Sequence, residues 1–483
     1  MSEGTLKNKT VRGIVWSTIE NVSRMGVTFI VSTFLARLLS PEEYGLIGIL
    51  YIFISISNTI VDGGFTYALI RKQDAVDIDY TTVFYVNMVL SVFLTVLLFF
   101  SAYPIADFFM QPDLVPLTQV MSSVVLINAF SIVQRARITK AIDFKTQTKI
   151  TFSSSIISGV FGILMALNGY GVWALVGQHL SNQMISAILY WLYSGWFPKL
   201  EFSFSSFKEM WNFGSKVLVT GIIDTAWKEV HQVVIGKCYS PTTLGLYTRA
   251  KLFDNLCSLN LTGVVQKVTY PVLSSIQDNR IRLKYAYQRV IRVTMLASFV
   301  LMLGMAASAK SMIYVLIGEQ WIECVPMLQI ICTYGMLYPL HAINLNILQV
   351  IGRSDLILKL EIIKKIIAIG PLLLGIFIDI YLMLISSFLT SLISYYLNAY
   401  YSGPFLNYSI KDQIKDILPS FGVAMSMAIP VYLISFMQVN LFILFPIQII
   451  VGAIIVVTIC EALKLPEYLE IKGILVSMLN KTI

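Results

Sequence analysis

Long apolar runs separated by short polar connections recur along the whole of this chain. Each run is about 20 residues long, which is enough to cross roughly 30 Å of hydrocarbon as a helix. Hydropathy and turn residues together place fourteen runs, so the pattern predicts an all-α membrane protein with about fourteen transmembrane helices. The predicted spans are 13–37, 44–66, 81–103, 114–134, 149–168, 171–193, 213–236, 244–267, 290–309, 325–350, 356–377, 379–400, 417–437 and 441–461.

The composition agrees with this pattern. Of the 483 residues, 57% are hydrophobic and only 13% are charged, whereas roughly a quarter of the residues of a soluble protein are charged. The first span is too long for a signal-peptide core and carries charges, so we expect it to be a helix of the mature protein. Very short connections after spans 1, 5, 11 and 13 predict helical hairpins.

The lysines and arginines of the connections are unevenly distributed. Nearly all lie in one alternating set, which includes both termini, and the other set holds only Arg37, Lys237 and Lys310. The positive-inside rule then places both termini in the cytoplasm and requires an even number of spans. The net charge of +8 reflects this orientation bias rather than a nucleic-acid surface, because the basic residues are spread over many short loops.

One motif appears twice in the chain. The pattern Ser-Pro-x-x-x-Gly-Leu occupies residues 40–46, at the end of span 1, and returns at residues 240–246, at the end of span 7. Six spans separate the copies, so both halves cross the membrane in the same sense. We therefore expect two six-helix lobes in parallel repeat around a central cavity. Their predicted limits are 1–200 (helices 1 to 6) and 201–403 (helices 7 to 12), with helices 13 and 14 at 404–483.

Charged residues within the spans are gathered in a few helices. A charge at the bilayer centre costs roughly 2.5–3.5 kcal/mol on insertion scales and commonly marks a watery pathway. Spans 1, 2, 7 and 8, which are equivalent in the two halves, hold most of them, and this indicates a shared cavity. The residues concerned are Glu20, Arg24, Asp62, Lys216, Asp224, Lys228, Glu229, His231, Arg249, Lys251, Asp254, Glu361, Lys364 and Lys365.

Local ion pairs are the alternative interpretation of these charges. Three sets lie three or four residues apart and can neutralise themselves on one helix: Glu20 with Arg24, Asp224 with Lys228, and Glu361 with Lys364 or Lys365. On a helical wheel, span 7 nevertheless has one polar face and one apolar face, as a cavity-lining helix should. The polar face holds Thr220, Asp224, Trp227, Lys228 and His231, and Glu229 lies off it.

Basic residues exceed acidic ones in the predicted cavity. Such a cavity suits a phosphate or pyrophosphate, to which Arg offers a bidentate fork and Lys a point charge. The candidate pyrophosphate ligands are Arg24, Lys228, Arg249 and Lys251, and the candidates for ion coupling are Glu20, Asp62 and Asp224. Sugar contact is a hypothesis for a polar row at helical spacing in span 10, although packing is the more common role of such a row in a transmembrane helix. The row comprises Tyr334, Tyr338, His341 and Asn344.

Several catalytic signatures are missing from the sequence. It has no Gly-x-x-x-x-Gly-Lys-Ser/Thr phosphate loop, no Gly-x-Ser-x-Gly elbow and no His-Glu-x-x-His. The five cysteines form no Cys-x-x-Cys pair, which argues against a metal site. We therefore expect no cofactor and no ATP hydrolysis, and a gradient of H⁺ or Na⁺ or the membrane potential would supply the energy.

The N-terminal part of the chain resembles Wzx-type polysaccharide flippases of the multidrug/oligosaccharidyl-lipid/polysaccharide exporter superfamily. The resemblance lies in Lys-x-Lys-Thr-Val-Arg-Gly-Ile-Val-Trp-Ser at residues 7–17, in Arg24, in Leu-Ala-Arg-Leu-Leu-Ser-Pro-Glu-Glu-Tyr-Gly-Leu at residues 35–46, and in Asp62-Gly63-Gly64-Phe65. The fourteen-helix layout is similar too, so the resemblance extends over the whole chain.

The resemblance implies a transporter that is not an enzyme. The expected activity is flipping of undecaprenyl-pyrophosphate-linked oligosaccharide repeat units across the bacterial inner membrane by alternating access, for O-antigen, capsule or exopolysaccharide synthesis. It implies a pyrophosphate-binding role for Arg24, by similarity to flippases of lipid-linked peptidoglycan precursors. Polysaccharide polymerases, glycosyltransferases and membrane lipid are the expected partners, and no nucleic acid is expected.

Two other functions stay open from the sequence alone. A multidrug exporter of the same fold would carry organic cations, but it would favour an anionic or apolar cavity. A membrane-embedded polysaccharide polymerase or ligase would be expected to expose catalytic residues on a sizeable outer loop. Every predicted outer loop of this chain is shorter than about 20 residues, which favours transport.

Overall fold

Helices make up the regular secondary structure of the described part of the chain, as hydrocarbon requires, because each backbone polar group there must be satisfied within its own segment. The computed structural model describes Ser23, residues 25–470 and residues 472–473. The helices are α1 (Met25–Leu38), α2 (Pro41–Asp62), α3 (Phe65–Arg71), α4 (Asp77–Phe100), α5 (Ala102–Phe109), α6 (Leu114–Lys140), α7 (Phe144–Leu167), α8 (Val172–Ser194), α9 (Phe204–Cys238), α10 (Pro241–Ser275), α11 (Arg280–Ala307), α12 (Ala309–Ile317), α13 (Cys324–Gly335), α14 (Tyr338–Val350), α15 (Ser354–Ile367), α16 (Ile369–Phe377), α17 (Ile380–Leu406), α18 (Ile410–Ile434) and α19 (Leu441–Ala462).

The predicted spans that lie in the described residues fall on these helices, but not every helix has an apolar stretch long enough to cross a membrane. Over the described residues, eight are long and apolar enough to cross a membrane, with α2 and α3 counted as the single run Pro41–Arg71. Other predicted spans fall on α9 and α10, which are 35 residues long and carry charges, or on helices broken in two, such as α13 and α14. The prediction of an all-helical multi-pass membrane protein is confirmed, and the count of fourteen stays a prediction.

The chain divides into two compact units, Met1–Gly245 and Leu246–Ile483. In the first unit α7 packs along α8, α4 along α6, and α2 along α9. In the second unit α11 packs along α18, α16 along α17, and α18 along α19. The hairpins expected after spans 5, 11 and 13 are therefore present.

Both copies of the repeated motif begin a helix in the same way. A proline is the first helical residue in each, where its missing N–H costs nothing. The Ser40 N–H donates to the Glu43 carboxylate at 2.7 Å, and the Glu43 N–H donates to Ser40 Oγ at 3.4 Å, which completes a capping box. In the second copy the Thr243 N–H donates to Ser240 Oγ at 3.2 Å. The turn predicted from the repeat is thus found at both positions.

The glycines of the two motif copies allow a backbone contact inside the first unit. A Cβ atom built on Gly45 would lie 1.8 Å from the Pro241 carbonyl oxygen, and one built on Gly245 would lie 1.8 Å from the Pro41 carbonyl oxygen. The contact is reciprocal, and any side chain would block it. Small residues allow helix backbones to approach closely in this way, which explains why both copies carry glycine.

Replacing Gly45 by Ala should destabilise the protein by about 1–3 kcal/mol, the usual cost of adding a methylene to a filled space. The backbone of α10 must move to accept the new methyl group, because a carbonyl oxygen cannot rotate away as a side chain can. Gly422→Ala is the matched control, since a Cβ there meets no atom within 4 Å. Thermal unfolding of the purified variants in detergent should show a lower midpoint for Gly45→Ala alone.

Candidate functional site

Lys251 and Asp254 form an ion pair on α10, in the second unit. Lys251 Nζ lies 2.7 Å from Asp254 Oδ2, and the two residues are three apart on the helix. The Lys251 side chain is 37% exposed, whereas that of Asp254 is 2% exposed. Lys251 Nζ also lies 5.4 Å from the centroid of the Tyr334 ring on α13, an arrangement that attracts a cation to the ring face. The pair therefore presents an oriented, half-exposed ammonium group.

Arg249 lies two residues before Lys251, yet it is 3% exposed. Its guanidinium carbon lies 5.1 Å from the centroid of the Trp321 ring, which is fully buried. In this conformation Arg249 places a positive charge in the interior of the second unit. Its predicted role as a direct pyrophosphate ligand stays a prediction that needs the side chain to become accessible.

The candidate sugar-contact residues occupy very different environments. Tyr338 is 45% exposed at the start of α14, and His341 Nε2 lies 2.9 Å from Ser391 Oγ on α17. Asn344 is fully buried, so in this conformation it offers no surface to a sugar and fits the packing alternative. Tyr334 lies beside Lys251, and both Tyr334 and Tyr338 lie near Asp254. These two tyrosines are the part of the row that can contact a ligand.

Asn344 joins four helices through its side-chain amide. Its Oδ1 accepts hydrogen bonds from Tyr287 Oη on α11 at 2.6 Å, from Ser402 Oγ on α17 at 2.8 Å, and from Gln413 Nε2 on α18 at 3.3 Å. Its Nδ2 donates to the Leu340 carbonyl oxygen at 3.0 Å. The buried amide is thus well satisfied, as buried polar groups require, and it fixes the packing around the candidate site.

In the first unit, α9 carries a row of exposed polar side chains. Lys216, Thr220, Asp224 and Lys228 follow one another at intervals of four residues, and all four are exposed. Because four residues are close to one helical turn, they lie along one side of α9. This row matches most of the polar face predicted for span 7, and it keeps Lys228 as a candidate ligand of an anionic group.

Other polar residues of α9 lie off this exposed row, among them Thr225, which contacts α2. Thr225 Oγ1 lies 3.1 Å from Thr59 Oγ1 on α2, and Glu229, which is half-buried, accepts a hydrogen bond from Gln232 Nε2. Glu229 therefore lies off the exposed row, as the helical wheel predicts. Asp62, the last residue of α2, accepts a hydrogen bond from Thr66 Oγ1, so its carboxylate bridges the turn to α3.

Of the other charged candidates, two form a local ion pair and two lie outside the described residues. Glu361 and Lys364 form an ion pair of 2.5 Å at a spacing of three residues on α15, which is the local alternative considered for them. Glu20 and Arg24 lie outside the described residues. Within the described residues, no group of three His, Cys, Asp or Glu side chains is arranged to hold a metal ion.

Sequence reasoning missed the Lys251–Asp254 pair, although a spacing of three residues was a usable signal. It also missed Gly335 of α13, where a built Cβ would lie 2.0 Å from Asp254 Oδ1. Asp254 is thus packed directly against the α13 backbone. The resulting cluster, which we call the α10–α13 site, comprises Lys251, Asp254, Tyr334, Gly335 and Tyr338. It can bind an oxyanion at Lys251 and present two tyrosines beside it.

A family model supplies the classification of the chain. The model described as "Polysaccharide biosynthesis protein" matches residues 34–326, which is more than half of the sequence. The chain belongs to this polysaccharide biosynthesis protein family. The resemblance to Wzx-type polysaccharide flippases, drawn from the N-terminal sequence, is thereby confirmed.

Two relatives illustrate the range of the family. The chain is 23% identical over 377 residues to the lipopolysaccharide biosynthesis protein WzxC of Escherichia coli (strain K12), covering 77% of this chain and 76% of the relative. It is 24% identical over 373 residues to the succinoglycan biosynthesis transport protein ExoT of Rhizobium meliloti (strain 1021), covering 77% and 75%.

Solved structures share the fold. The lipid II flippase MurJ in its inward closed conformation matches with a TM-score of 0.74 at 15% identity, over 93% of this chain and 98% of that one. An inward-facing multidrug resistance MATE family transporter of the MOP superfamily matches with a TM-score of 0.57 at 15% identity, over 82% and 99%. At such identities the likeness concerns the fold alone, and it supports the membrane transporter fold expected from the sequence.

Proposed function

We propose that the protein flips undecaprenyl-pyrophosphate-linked oligosaccharide repeat units across the bacterial inner membrane by alternating access. The flipped units serve the synthesis of O-antigen, capsule or exopolysaccharide. One observation carries the proposal: a member of this family holds an oriented, partly exposed lysine, Lys251, which pairs with the buried Asp254 and lies beside the ring of Tyr334. The names of the relatives, which refer to lipopolysaccharide and succinoglycan, support polysaccharide as the product.

The chemistry of the substrate fits the α10–α13 site. When a pyrophosphate enters a medium of low dielectric constant it loses hydration free energy. A hydrogen bond from an ammonium group offsets part of this loss. Lys251 supplies that donor, and the exposed ring of Tyr338 offers an apolar face to a sugar. The lipid chain needs no polar partner. We propose that Lys228, on the exposed row of α9 in the first unit, is a further cationic residue that can bind an anionic group.

Energy and orientation follow from the sequence. The chain has no phosphate-loop motif, so an ion gradient or the membrane potential drives the movement in this proposal. Both termini lie in the cytoplasm, because the basic connections are on their side. In this proposal glycosyltransferases assemble the lipid-linked unit on the cytoplasmic face, and a polymerase uses it on the periplasmic face.

Replacing Arg24 by Ala should abolish surface polysaccharide in the source bacterium while the protein stays in the membrane. The expectation comes from the family resemblance, which places a pyrophosphate-binding arginine at this position. Polysaccharide on intact cells is measured after the variant replaces the native gene. Arg24→Lys is the control, since it keeps the charge and should retain part of the activity.

Normal polysaccharide in the Arg24→Ala strain would contradict the assignment of Arg24. A strain without the gene that still makes normal polysaccharide would contradict the proposed function itself. Resistance of an overexpressing strain to cationic dyes would instead favour a multidrug exporter.

A further inference from the structure

The end of the first unit where α4 begins and α6 ends carries an arginine held beside two aromatic rings. The guanidinium carbon of Arg137, on α6, lies 5.2 Å from the centroid of the Tyr80 ring on α4. It lies 5.3 Å from the centroid of the Trp196 ring, in the connection between α8 and α9. At such distances a cation is attracted to a ring face. Because the rings carry no net charge, they position the guanidinium group without neutralising it.

Arg137 and Lys140 are oriented by neutral groups and keep unused donors. Arg137 is partly exposed, and its Nη1 atom has no hydrogen-bond partner among the described residues. Lys140, one turn further along α6, donates hydrogen bonds to the backbone carbonyl oxygens of Leu69, at 3.1 Å, and of Lys72. An ammonium group has three N–H donors, so one is left for a further acceptor.

Two carboxylates at the same end of the unit pair with Lys72 instead. Lys72 Nζ lies 3.1 Å from Asp79 Oδ2 on α4 and 3.0 Å from Glu209 Oε2 on α9. Asp79 is the neighbour of Tyr80 in the chain, but its carboxylate is buried against Lys72. In this conformation, therefore, neither carboxylate forms an ion pair with Arg137 or Lys140.

The two cations lie close to the ends of helices that can cross a membrane. Both α4, which begins at Asp77, and α6, which ends at Lys140, are long and apolar enough to do so. Tyr80 and Arg137 are each three residues from those ends. Cations and aromatic side chains near the ends of transmembrane helices lie at the level of the lipid headgroups. The depth of Arg137 therefore matches that of a phospholipid phosphate.

The connection between α8 and α9 exposes apolar side chains beside this arginine. The Ser203 N–H donates to Thr82 Oγ1 on α4 at 3.1 Å, which fixes one end of the connection. Trp196 is buried at the other end. Large apolar side chains that are exposed at the membrane surface are stabilised by acyl chains. The exposed residues of the connection and of the first turn of α9 are Phe197, Leu200, Phe202 and Phe204.

We propose that this end of the first unit binds an anionic phospholipid. Its phosphate accepts hydrogen bonds from Arg137 and Lys140, as phosphates do from guanidinium and ammonium groups. Its acyl chains lie against the exposed apolar side chains of residues 197–204. A zwitterionic phospholipid has a phosphate but no net charge to offset the two cations, so the site selects the anionic lipid. The α10–α13 site belongs to the second unit, and this inference does not rest on the flippase function.

Native mass spectrometry of the purified full-length protein, titrated with phosphatidylglycerol in a mild detergent, tests the proposal. A cation near the membrane surface is worth about a factor of five in binding an anionic lipid. We therefore expect the wild type to bind phosphatidylglycerol at least about fivefold more tightly than phosphatidylcholine with the same acyl chains. Arg137→Gln should lose about fivefold of this preference, and Arg137→Lys, which keeps the charge, should lose less.

A second variant keeps the test valid if Arg137→Gln does not fold. Phe197 follows Trp196 in the chain and is 68% exposed, so Phe197→Glu adds a negative charge beside the site without entering the core. It should weaken the binding of phosphatidylglycerol more than that of phosphatidylcholine. Glycerol 3-phosphate, added in excess, should leave phosphatidylglycerol bound, because it has the phosphate but no acyl chains.

Arg353→Gln is the matched control. The guanidinium carbon of Arg353 lies 5.6 Å from the centroid of the Phe405 ring, but Asp355 accepts two hydrogen bonds from this arginine, at 2.9 and 2.7 Å. Since that carboxylate already neutralises it, Arg353→Gln should keep the wild-type preference for phosphatidylglycerol.

Equal affinity of the wild type for the two phospholipids would overturn the proposal. It would also be overturned by an unchanged preference in Phe197→Glu or in a folded Arg137→Gln. An equal loss in Arg353→Gln would show that total charge, rather than this site, determines binding. Displacement of phosphatidylglycerol by glycerol 3-phosphate would make a soluble anion, and not a lipid, the ligand. None of these results would contradict the flippase function, which the polysaccharide measurements test.

Discussion

Replacing Lys251 by Gln should reduce surface polysaccharide at least tenfold. The substitution keeps a polar side chain, one atom shorter, but removes the partly exposed charge of the α10–α13 site. A hydrogen bond to a charged group is worth about 1.5–3 kcal/mol, which corresponds to a factor of roughly 10–100 in binding. The measurement is the amount of polysaccharide on cells that carry the variant in place of the native gene.

Lys364→Gln is the matched control for Lys251→Gln. Lys364 also pairs with a carboxylate three residues away, but its side chain is 16% exposed and the more exposed partner is the carboxylate of Glu361. We expect Lys364→Gln to keep polysaccharide near the wild-type amount. Equal losses in the two variants would indicate that any broken pair impairs the protein. Wild-type polysaccharide in Lys251→Gln would remove Lys251 from the substrate path.

Replacing Asn344 by Ala should destabilise the second unit by about 3–5 kcal/mol. Three donors, from Tyr287, Ser402 and Gln413, meet at Asn344 Oδ1, and the substitution leaves them buried without an acceptor. Each unsatisfied buried group costs about 1–3 kcal/mol. The expected result is a large fall in the thermal midpoint of the purified protein and less protein in the membrane.

Asn346→Ala is the control that shows how much stability is lost when a buried amide outside this network is removed. Asn346 lies on the same helix and is 4% exposed, but its Nδ2 has no hydrogen-bond partner among the described residues. The variant should therefore lose much less stability than Asn344→Ala. Similar losses in both variants would show that the four-helix network around Asn344 contributes little.

Local features of this fold were predictable from the sequence. The serine and proline of the repeated motif determine how α2 and α10 begin, because a capping hydroxyl and a proline act within one helical turn. The exposed row on α9, from Lys216 to Lys228, follows from helical spacing alone. Both features depend on residues that are close in the chain.

Features that depend on contacts between helices were not predictable. Tyr338 and Asn344 share a helical row in the sequence, yet Tyr338 is 45% exposed and Asn344 fully buried. The difference arises because α13 and α14 are separate helices and because three other helices supply the partners of Asn344. Likewise, the close packing of Asp254 Oδ1 becomes visible only when Gly335 of α13 is placed beside it.

Direct transport by the purified protein tests the central claim. Proteoliposomes are prepared with undecaprenyl-pyrophosphate-linked oligosaccharide extracted from the source bacterium, and the fraction that reaches the outer leaflet is measured with a lectin that cannot cross the membrane. We expect lectin-accessible lipid to increase with time in vesicles that contain the wild-type protein, and to increase much more slowly with Lys251→Gln. Equal rates in wild-type and protein-free vesicles would contradict the assignment of this protein as a flippase.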